Sequence, residues 1–249
     1  MGTEDAPVTV IAVTMVKDEA DVISATIAQL FAQGIDHIIA ADNLSTDRTR
    51  SILERYDNLT IVDDPEPGYY QADKMTRLAR QAYDMGADWV LPFDADEIWY
   101  AEGSTIADAL HHATADVIMA AGWDHIVTTE GDQPFSPWRR AQPQTLCKVA
   151  FRARPDAELN MGNHDVRPAH LTRERGTLRY RHFQYRSLEQ MTRKLRQGKA
   201  AYEAADIHPM HGTHWREGGA LTDDELAAKW DALCSEEGLV FDPVPWAKP

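Results

Sequence analysis

The feature that most constrains the fold of this chain is the alternation of short apolar runs with amphipathic segments over its first hundred residues. Residues 8–15 form an apolar run of strand length, and residues 21–33 carry apolar side chains at helical spacing. The pattern continues with predicted strands at 37–41, 59–62 and 88–93 and predicted helices at 45–56, capped by Ser45 or Thr46, and 70–85. Strand–helix alternation with short connections predicts an α/β fold with a Rossmann-like, mostly parallel sheet covered by helices on both faces.

The second half of the chain is less regular. Strands are predicted at 116–121, 147–151 and 178–183, and a polar loop at 128–143. Helices are predicted at 187–204 and 222–236, each opening on a residue that fits a capping box. The tail, 242–249, is rich in proline. The sequence contains no repeat or clear linker, so we expect a single domain over 1–249.

Polar residues collect directly after the predicted strands of the first half. In parallel sheets the ligand lies beyond the carboxyl ends of the strands, so these residues should share one edge. They are Lys17, Asp18 and Glu19 after the first strand, Asp42, Asn43 and Ser45 after the second, Asp63 and Asp64 after the third, and Asp94, Asp96 and Glu97 after the fourth.

Composition narrows the class of partner. The formal net charge of −15 argues against nucleic acid, because phosphate binding needs a basic face; residues 173–199 form the one candidate basic patch. Cys147 and Cys234 lack ligand spacing and indicate reduced thiols. No apolar run approaches the ~18 residues that span a bilayer. The short, acidic N-terminus is unlike a secretory signal, so we expect a cytoplasmic protein.

Asp94-Ala95-Asp96-Glu97 is the strongest chemical signal. It contains the chain's one Asp-x-Asp and follows a buried strand. Carboxylate oxygens suit Mg²⁺ or Mn²⁺, and such an ion could bridge the phosphates of a nucleotide sugar. The alternative is a solvated turn with helix-capping aspartates.

A second signal begins at Asp42 and runs through residue 49. A carboxylate after the second strand can accept a hydrogen bond from a nucleobase N–H. The alternative is a turn that caps the next helix, and both roles are compatible.

Taken together, three segments resemble the family 2 glycosyltransferases, which have the GT-A fold. They are Val-Thr-Met-Val-Lys-Asp-Glu at 13–19, Ala-Asp-Asn-Leu-Ser-Thr-Asp-Arg-Thr at 41–49 and Asp-Ala-Asp-Glu at 94–97. Their order and spacing both fit the family, and the resemblance is good over 8–100. It implies a nucleotide-sugar-binding half at 8–100 and an acceptor-binding half at 101–249.

The resemblance also implies residue roles. The predicted nucleotide-binding residues are Thr14, Val16, Lys17, Glu19, Asp42, Lys74, Asp94 and Arg186. Asp42 would hold the base, often uracil, so a UDP-sugar is the favoured donor. Asp94 and Asp96 would manage Mn²⁺ or Mg²⁺ and the diphosphate, with His182 as a late third ligand. Lys194 would join Arg186 in neutralising phosphate. The family resemblance further implies inversion at the anomeric carbon; the acceptor is unknown.

The catalytic base is less clear, because the chain departs from the usual family pattern. The Asn-Glu that commonly follows the first strand is Asp18-Glu19 here, and the second half lacks a clear Glu-Asp pair. Residues 160–165 form a polar run that contains His164 and Asp165, either of which could take the acceptor proton. Asp124 and Asp132 are the alternatives, and His164 could instead be structural.

Other features and functions remain as alternatives. His208, His211 and His214 are spaced for zinc, but Pro209 and Gly212 disfavour a shared helical face; a mobile acceptor-side loop is preferred. Trp123, Trp138 and Trp215 are expected to pack in the core, with stacking on a sugar as the alternative for each. A nucleotidyltransferase would usually carry a glycine-rich loop after the first strand, which is absent here. A non-catalytic carbohydrate-binding module is the other alternative. It would not need a pair of metal-binding carboxylates beside a carboxylate that binds a nucleobase.

Overall fold

The computed structural model of the protein describes residues 7–129, 133–208 and 210–245. The strands are β1 (Val10–Val16), β2 (His37–Asp42), β3 (Leu59–Asp63), β4 (Trp89–Pro92), β5 (Glu97–Ala101), β6 (Val117–Asp124), β7 (Trp138–Arg139), β8 (Lys148–Arg152), β9 (Glu158–Leu159), β10 (Val166–Arg167), β11 (Arg173–His182) and β12 (Val240–Phe241). The helices are α1 (Ile23–Ala32), α2 (Thr49–Leu53), α3 (Gln71–Asp84), α4 (Ile106–His111), α5 (Leu188–Ala204), α6 (Thr213–Gly218) and α7 (Asp223–Cys234), with a short 3-10 turn at Met161–Asn163.

Within these described ranges, eight strands form one sheet in the order β3-β2-β1-β4-β8-β6-β11-β5. The pairs β3–β2, β2–β1, β1–β4 and β6–β11 are parallel, and the remaining three pairs are antiparallel. The prediction of a mixed, mostly parallel α/β sheet is therefore confirmed. Because β8 joins β4 to β6, strands from both halves of the chain belong to the same sheet.

Helices cover both faces of the sheet, as the amphipathic pattern predicts. On one face α1 and α4 bury Ile27, Leu30 and Ile106, while on the other α3 buries Met75 and Leu78. Each such side chain stabilises the fold by about 1.5–3 kcal/mol through burial. Glycines end two of the helices in the left-handed conformation that glycine adopts without strain, with φ of 83° at Gly34 and 89° at Gly86.

Two of the differences from the predicted structure lie close to the polar edge of the sheet. The predicted cap of α2 is wrong: the helix begins at Thr49, because Ser45 and Thr46 instead hydrogen-bond to Asp18 in the loop after β1. β5 was not predicted, because its first residue, Glu97, reads as the end of an acidic turn.

The described chain contains no helix that is both long and apolar enough to cross a membrane. Both cysteines are free thiols, as their spacing indicated.

Candidate active site

The carboxyl ends of β1, β2 and β4 open into a cavity of about 1080 Å³. One wall lies at these strand ends and is formed by residues 15–17, Asn43 and 94–97. The opposite wall comes from the second half of the chain: the loop 140–146, the 3-10 turn and His164, α5, α6 and residues 236–239. Two distant parts of the sequence therefore enclose one site, and part of the predicted acidic edge, including Asp94, Asp96 and Glu97, lines it.

Asp94, the first acid of the motif, faces the cavity with its side chain about one-third exposed at 34%. Its Oδ2 accepts a hydrogen bond from Lys148 Nζ at 2.5 Å, and its Oδ1 lies 3.3 Å from Asn163 Nδ2. Lys148 also contacts Glu97 at 2.8 Å, so one buried ammonium bridges two carboxylates. Burial raises the pKa of Glu97, although Lys148 opposes that shift.

Asp96, the second acid, is almost completely buried and contacts several cations. Its Oδ2 lies 2.5 Å from Lys194 Nζ, 3.6 Å from His182 Nε2 and 3.9 Å from Arg186 Nη1. Burial alone would raise the pKa of Asp96, but Lys194 and His182 hold it well below its usual value. This carboxylate is therefore ionised across the physiological range.

His182 lies between two carboxylates at the end of β11. Its Nδ1 is 2.8 Å from Asp124 Oδ1, and its Nε2 faces Asp96. Burial would lower the pKa of the imidazole, but the two carboxylates raise it to about 10. Among the described residues, no three His, Cys, Asp or Glu side chains converge closely enough to hold a metal ion by themselves. A metal would therefore need further ligands from a bound substrate.

Arg186 does not line the cavity. Its guanidinium bonds to Glu19, to Asp21 at 2.6 Å and to the Phe183 carbonyl at 2.9 Å, and its side chain is 2% exposed. These partners hold Arg186 against the loop that follows β1, and its contact with phosphate stays a prediction.

The predicted nucleotide-binding residues fall into two groups. Val16, Lys17, Glu19 and Asp94 line the cavity. Thr14, Asp42 and Lys74 are buried and do not line it. Sequence reasoning placed these three near the edge but could not tell which side chains turn inward.

The inward-turned group has internal partners instead. Asp42 Oδ1 accepts a hydrogen bond from Ser45 N at 3.1 Å, which stabilises the turn after β2 but does not cap α2. Lys74 pairs with Asp64 at 2.7 Å, with both side chains buried. Asn43 lines the cavity and donates to Asp64 at 2.9 Å, so this pair supports the cavity wall.

The two candidate bases after β9 have different surroundings. His164 lines the cavity, and its Nδ1 is 2.9 Å from the Cys147 carbonyl oxygen. A carbonyl oxygen only accepts, so Nδ1 carries the proton and Nε2 is left as an acceptor. Asp165 lies outside the cavity lining, and its carboxylate pairs with Arg173 at 3.0 Å.

The alternative bases are less suited to the role. Asp124 lines the cavity, but hydrogen bonds from His182 and Gln144 outweigh the effect of burial and lower its pKa to about 2. Asp132 lies outside the described residues, as does Pro209.

The histidine-rich loop and the tryptophans have separate roles. Gly212 forms the N-cap of α6, and His211, His214 and Trp215 line the cavity wall that comes from the second half of the chain. Trp138 packs against Phe241, and Trp123 lies under the Arg139 guanidinium. Trp215 is thus the tryptophan of these three that reaches the cavity.

Lys148 is the site residue that sequence reasoning missed. It precedes an apolar strand segment, and no motif marks it. Its one sequence signal is its place at the start of a predicted buried strand, where a lysine needs an acidic partner.

Comparison with known proteins gives one strong match. The sequence profile of the glycosyltransferases described as "Glycosyl transferase family 2" matches residues 11–147, more than half of the chain. No curated protein matches the sequence. The family assignment therefore depends on the profile match.

Two solved structures are distantly similar. S. aureus TarS 1-349 in complex with UDP is 14% identical, with a TM-score of 0.46, over 85% of this chain and 70% of that chain. A 4-diphosphocytidyl-2C-methyl-D-erythritol synthase is 13% identical, with a TM-score of 0.39, over 58% of this chain and 75% of that chain.

Proposed function

The chain belongs to glycosyl transferase family 2, and from this premise we propose that it is a metal-dependent, inverting enzyme that moves a sugar from a nucleoside-diphosphate donor to an acceptor hydroxyl. The observation that carries the proposal is the placement of Asp94, Asp96, Lys17 and His164 on the walls of one cavity. A UDP-sugar is the favoured donor, from the family resemblance of the first hundred residues.

Asp96 and His182 would hold a divalent cation once His182 releases its Nε2 proton, because a pKa of about 10 keeps the imidazole charged while Asp96 and Asp124 are its partners. The 3.6 Å between Asp96 Oδ2 and His182 Nε2 is a separation that two ligands of one ion can have. The bond from His182 Nδ1 to Asp124 is the kind that orients a metal-binding imidazole. Mg²⁺ is commonly held by one or two carboxylates together with substrate phosphates, which suits a site with few protein ligands.

We therefore propose that Asp96 and His182 bind Mn²⁺ or Mg²⁺ together with the donor phosphates, and that Asp94, the third predicted ligand, completes the site once the donor is bound. When bound, such an ion would stabilise the charge that develops on the departing nucleoside diphosphate. Asn163 orients Asp94 from the other side: it is fully buried, donates to Asp94 at 3.3 Å, and its Oδ1 has no hydrogen-bond partner among the described residues.

His164 is the proposed general base. Burial lowers its pKa, so the imidazole is neutral near pH 7, and the Cys147 carbonyl fixes the proton on Nδ1. The free Nε2 can take the proton of an acceptor hydroxyl as that oxygen attacks the anomeric carbon. Asp165, the other predicted base, instead pairs with Arg173 at the start of β11.

The test is a thermal-shift panel of nucleoside diphosphates, each with Mn²⁺ and with EDTA. A ligand that binds the native state raises the unfolding temperature, so the proposal predicts a selective rise with one base when Mn²⁺ is present. Equal shifts in Mn²⁺ and EDTA would contradict metal dependence. No shift with any diphosphate would contradict the donor class.

A further inference from the structure

Lys194 occupies the position at which a divalent cation would meet Asp96. Its Nζ lies 2.5 Å from Asp96 Oδ2 and 2.9 Å from Glu19 Oε1, so it bridges the loops after β4 and β1. The same Oδ2 atom faces His182. An ion bound by Asp96 Oδ2 and His182 Nε2 would therefore compete with Lys194 for the same carboxylate oxygen.

Lys194 is able to move, whereas Arg186 is not. The Lys194 side chain is 20% exposed, projects from α5 and lines the cavity. A lysine is a compact charge on a flexible four-carbon stem, and it can turn toward a different anion with little change in the helix. Arg186 is buried and held by three partners, so it stays in place when Asp96 changes its own partner.

Resting on the proposed function, we propose that Lys194 is a tethered competitor of the divalent cation. In the donor-free enzyme its ammonium neutralises Asp96. When a nucleoside diphosphate enters, the ammonium transfers from Asp96 to the diphosphate, and the carboxylate becomes available to the ion.

The consequence is cooperative binding. The ion binds weakly to the donor-free enzyme because it must displace Lys194, and it binds more tightly once the diphosphate offers Lys194 another anion. By linkage, the ion must improve diphosphate binding by the same factor.

The test compares wild type with Lys194→Met, which removes the charge but keeps the length of the side chain. Free Mn²⁺ is measured by EPR during titration of the donor-free protein, and the titration is repeated with UDP. The variant is expected to bind Mn²⁺ about ten-fold more tightly than wild type without UDP, and to show a smaller effect of UDP on Mn²⁺ affinity, in line with usual coupling of about 5- to 150-fold.

Lys199→Met is the matched control. Lys199 lies on the same helix and faces Glu203 at 3.9 Å, so its loss should leave Mn²⁺ affinity unchanged. Lys194→Gln is the second variant, and the unfolding curve of each protein confirms that it is folded.

Unchanged or weaker Mn²⁺ binding by both Lys194 variants, in proteins that still bind UDP with Mn²⁺, would overturn this proposal alone. Failure of wild type to bind UDP even with Mn²⁺ would overturn the proposed function instead. A wild type that binds UDP but no Mn²⁺ would contradict both the metal dependence and the role of Lys194.

Discussion

At the scale of single residues, the segment 94–97 holds three carboxylates in three environments. Asp94 is partly exposed beside Lys148, Asp96 is buried among cations, and Glu97 is buried against Lys148 and Trp99. Glu97 accepts from Trp99 Nε1 and from the backbone N–H of Asp94. We therefore assign Glu97 to holding the motif in shape and the two aspartates to ligand binding.

His164→Gln should lower kcat by about 10²- to 10⁴-fold, because it removes the proposed base. The wild-type rate should also fall at acid pH as the imidazole is protonated. Since burial lowers the pKa of His164 below its ordinary 6.5, the midpoint of that fall should lie below pH 6.5. The measurement is the pH dependence of kcat for sugar transfer.

Asp165→Asn provides the comparison. Asp165 lies outside the cavity lining, so this variant should keep most of the wild-type rate. A loss as large as that of His164→Gln would contradict the assignment of the base to His164.

The acids of the site were predictable because each follows a strand of a parallel sheet. The lysines that pair with them were not: Lys148 is 54 residues from Asp94, and Lys194 is 98 residues from Asp96. Such pairs depend on how the second half of the chain packs against the first half, and a local sequence pattern carries no information about that packing. The separation of His164 from its neighbour Asp165 was unpredictable for the same reason.

At the scale of structural elements, the loop after β1 is joined to the loop before α2 by Asp18. Its carboxylate accepts from Thr46 N at 2.6 Å, Asp47 N at 3.1 Å and Gln197 Nε2 at 2.5 Å. Burial raises the pKa of Asp18, but these hydrogen bonds outweigh it and lower the pKa overall. The stabilisation is therefore complete above the unfolded-state pKa and is lost as pH falls through the lower folded-state value.

Asp18→Asn should lower the free energy of unfolding at pH 7 by about 1–3 kcal/mol, because charged acceptors are replaced by a neutral amide. Asparagine also tolerates the left-handed backbone at this position, where φ is 52°. The difference from wild type should shrink below about pH 4. Urea unfolding at pH 7 and pH 3 measures both effects, and an equal difference at the two pH values would contradict this account.

Gly198 allows α6 to pack closely on α5. A Cβ at this position would lie 2.5 Å from Trp215 Cε3. Helix propensity alone predicts that Gly198→Ala stabilises by about 1 kcal/mol, whereas overpacking predicts a loss of about 1–3 kcal/mol. We expect a net loss, measured by thermal unfolding; an increase in stability would show that the two helices do not pack as described.

Elements with strong periodicity were predicted within a few residues, as for β1, α1 and α3. β11 begins at Arg173, five residues before its predicted start. Its first half is charged and has no strand pattern in the sequence, and it is a strand because it pairs with β6. α6 and β5 were missed because their short sequences resemble loops.

At the scale of the whole molecule, the net charge of −15 bears on how the proposed site can bind an anionic donor. Diphosphate and a strongly acidic protein repel each other, so a bound cation or a local basic cluster is needed. The cavity contains both kinds of group: Asp94 and Asp96 are the proposed ligands of an ion, and Lys17, Lys148 and Lys194 supply positive charge. The single-domain organisation and the cytoplasmic location stay predictions.

The most direct test is isothermal titration of UDP into wild type, Asp96→Asn and the exposed control Asp84→Asn, each with Mn²⁺ and with EDTA. The account predicts that wild type and Asp84→Asn bind UDP much more tightly with Mn²⁺ than with EDTA. It predicts that this dependence is lost in Asp96→Asn. UDP binding that is equally tight in EDTA, or full Mn²⁺ dependence in Asp96→Asn, would contradict it.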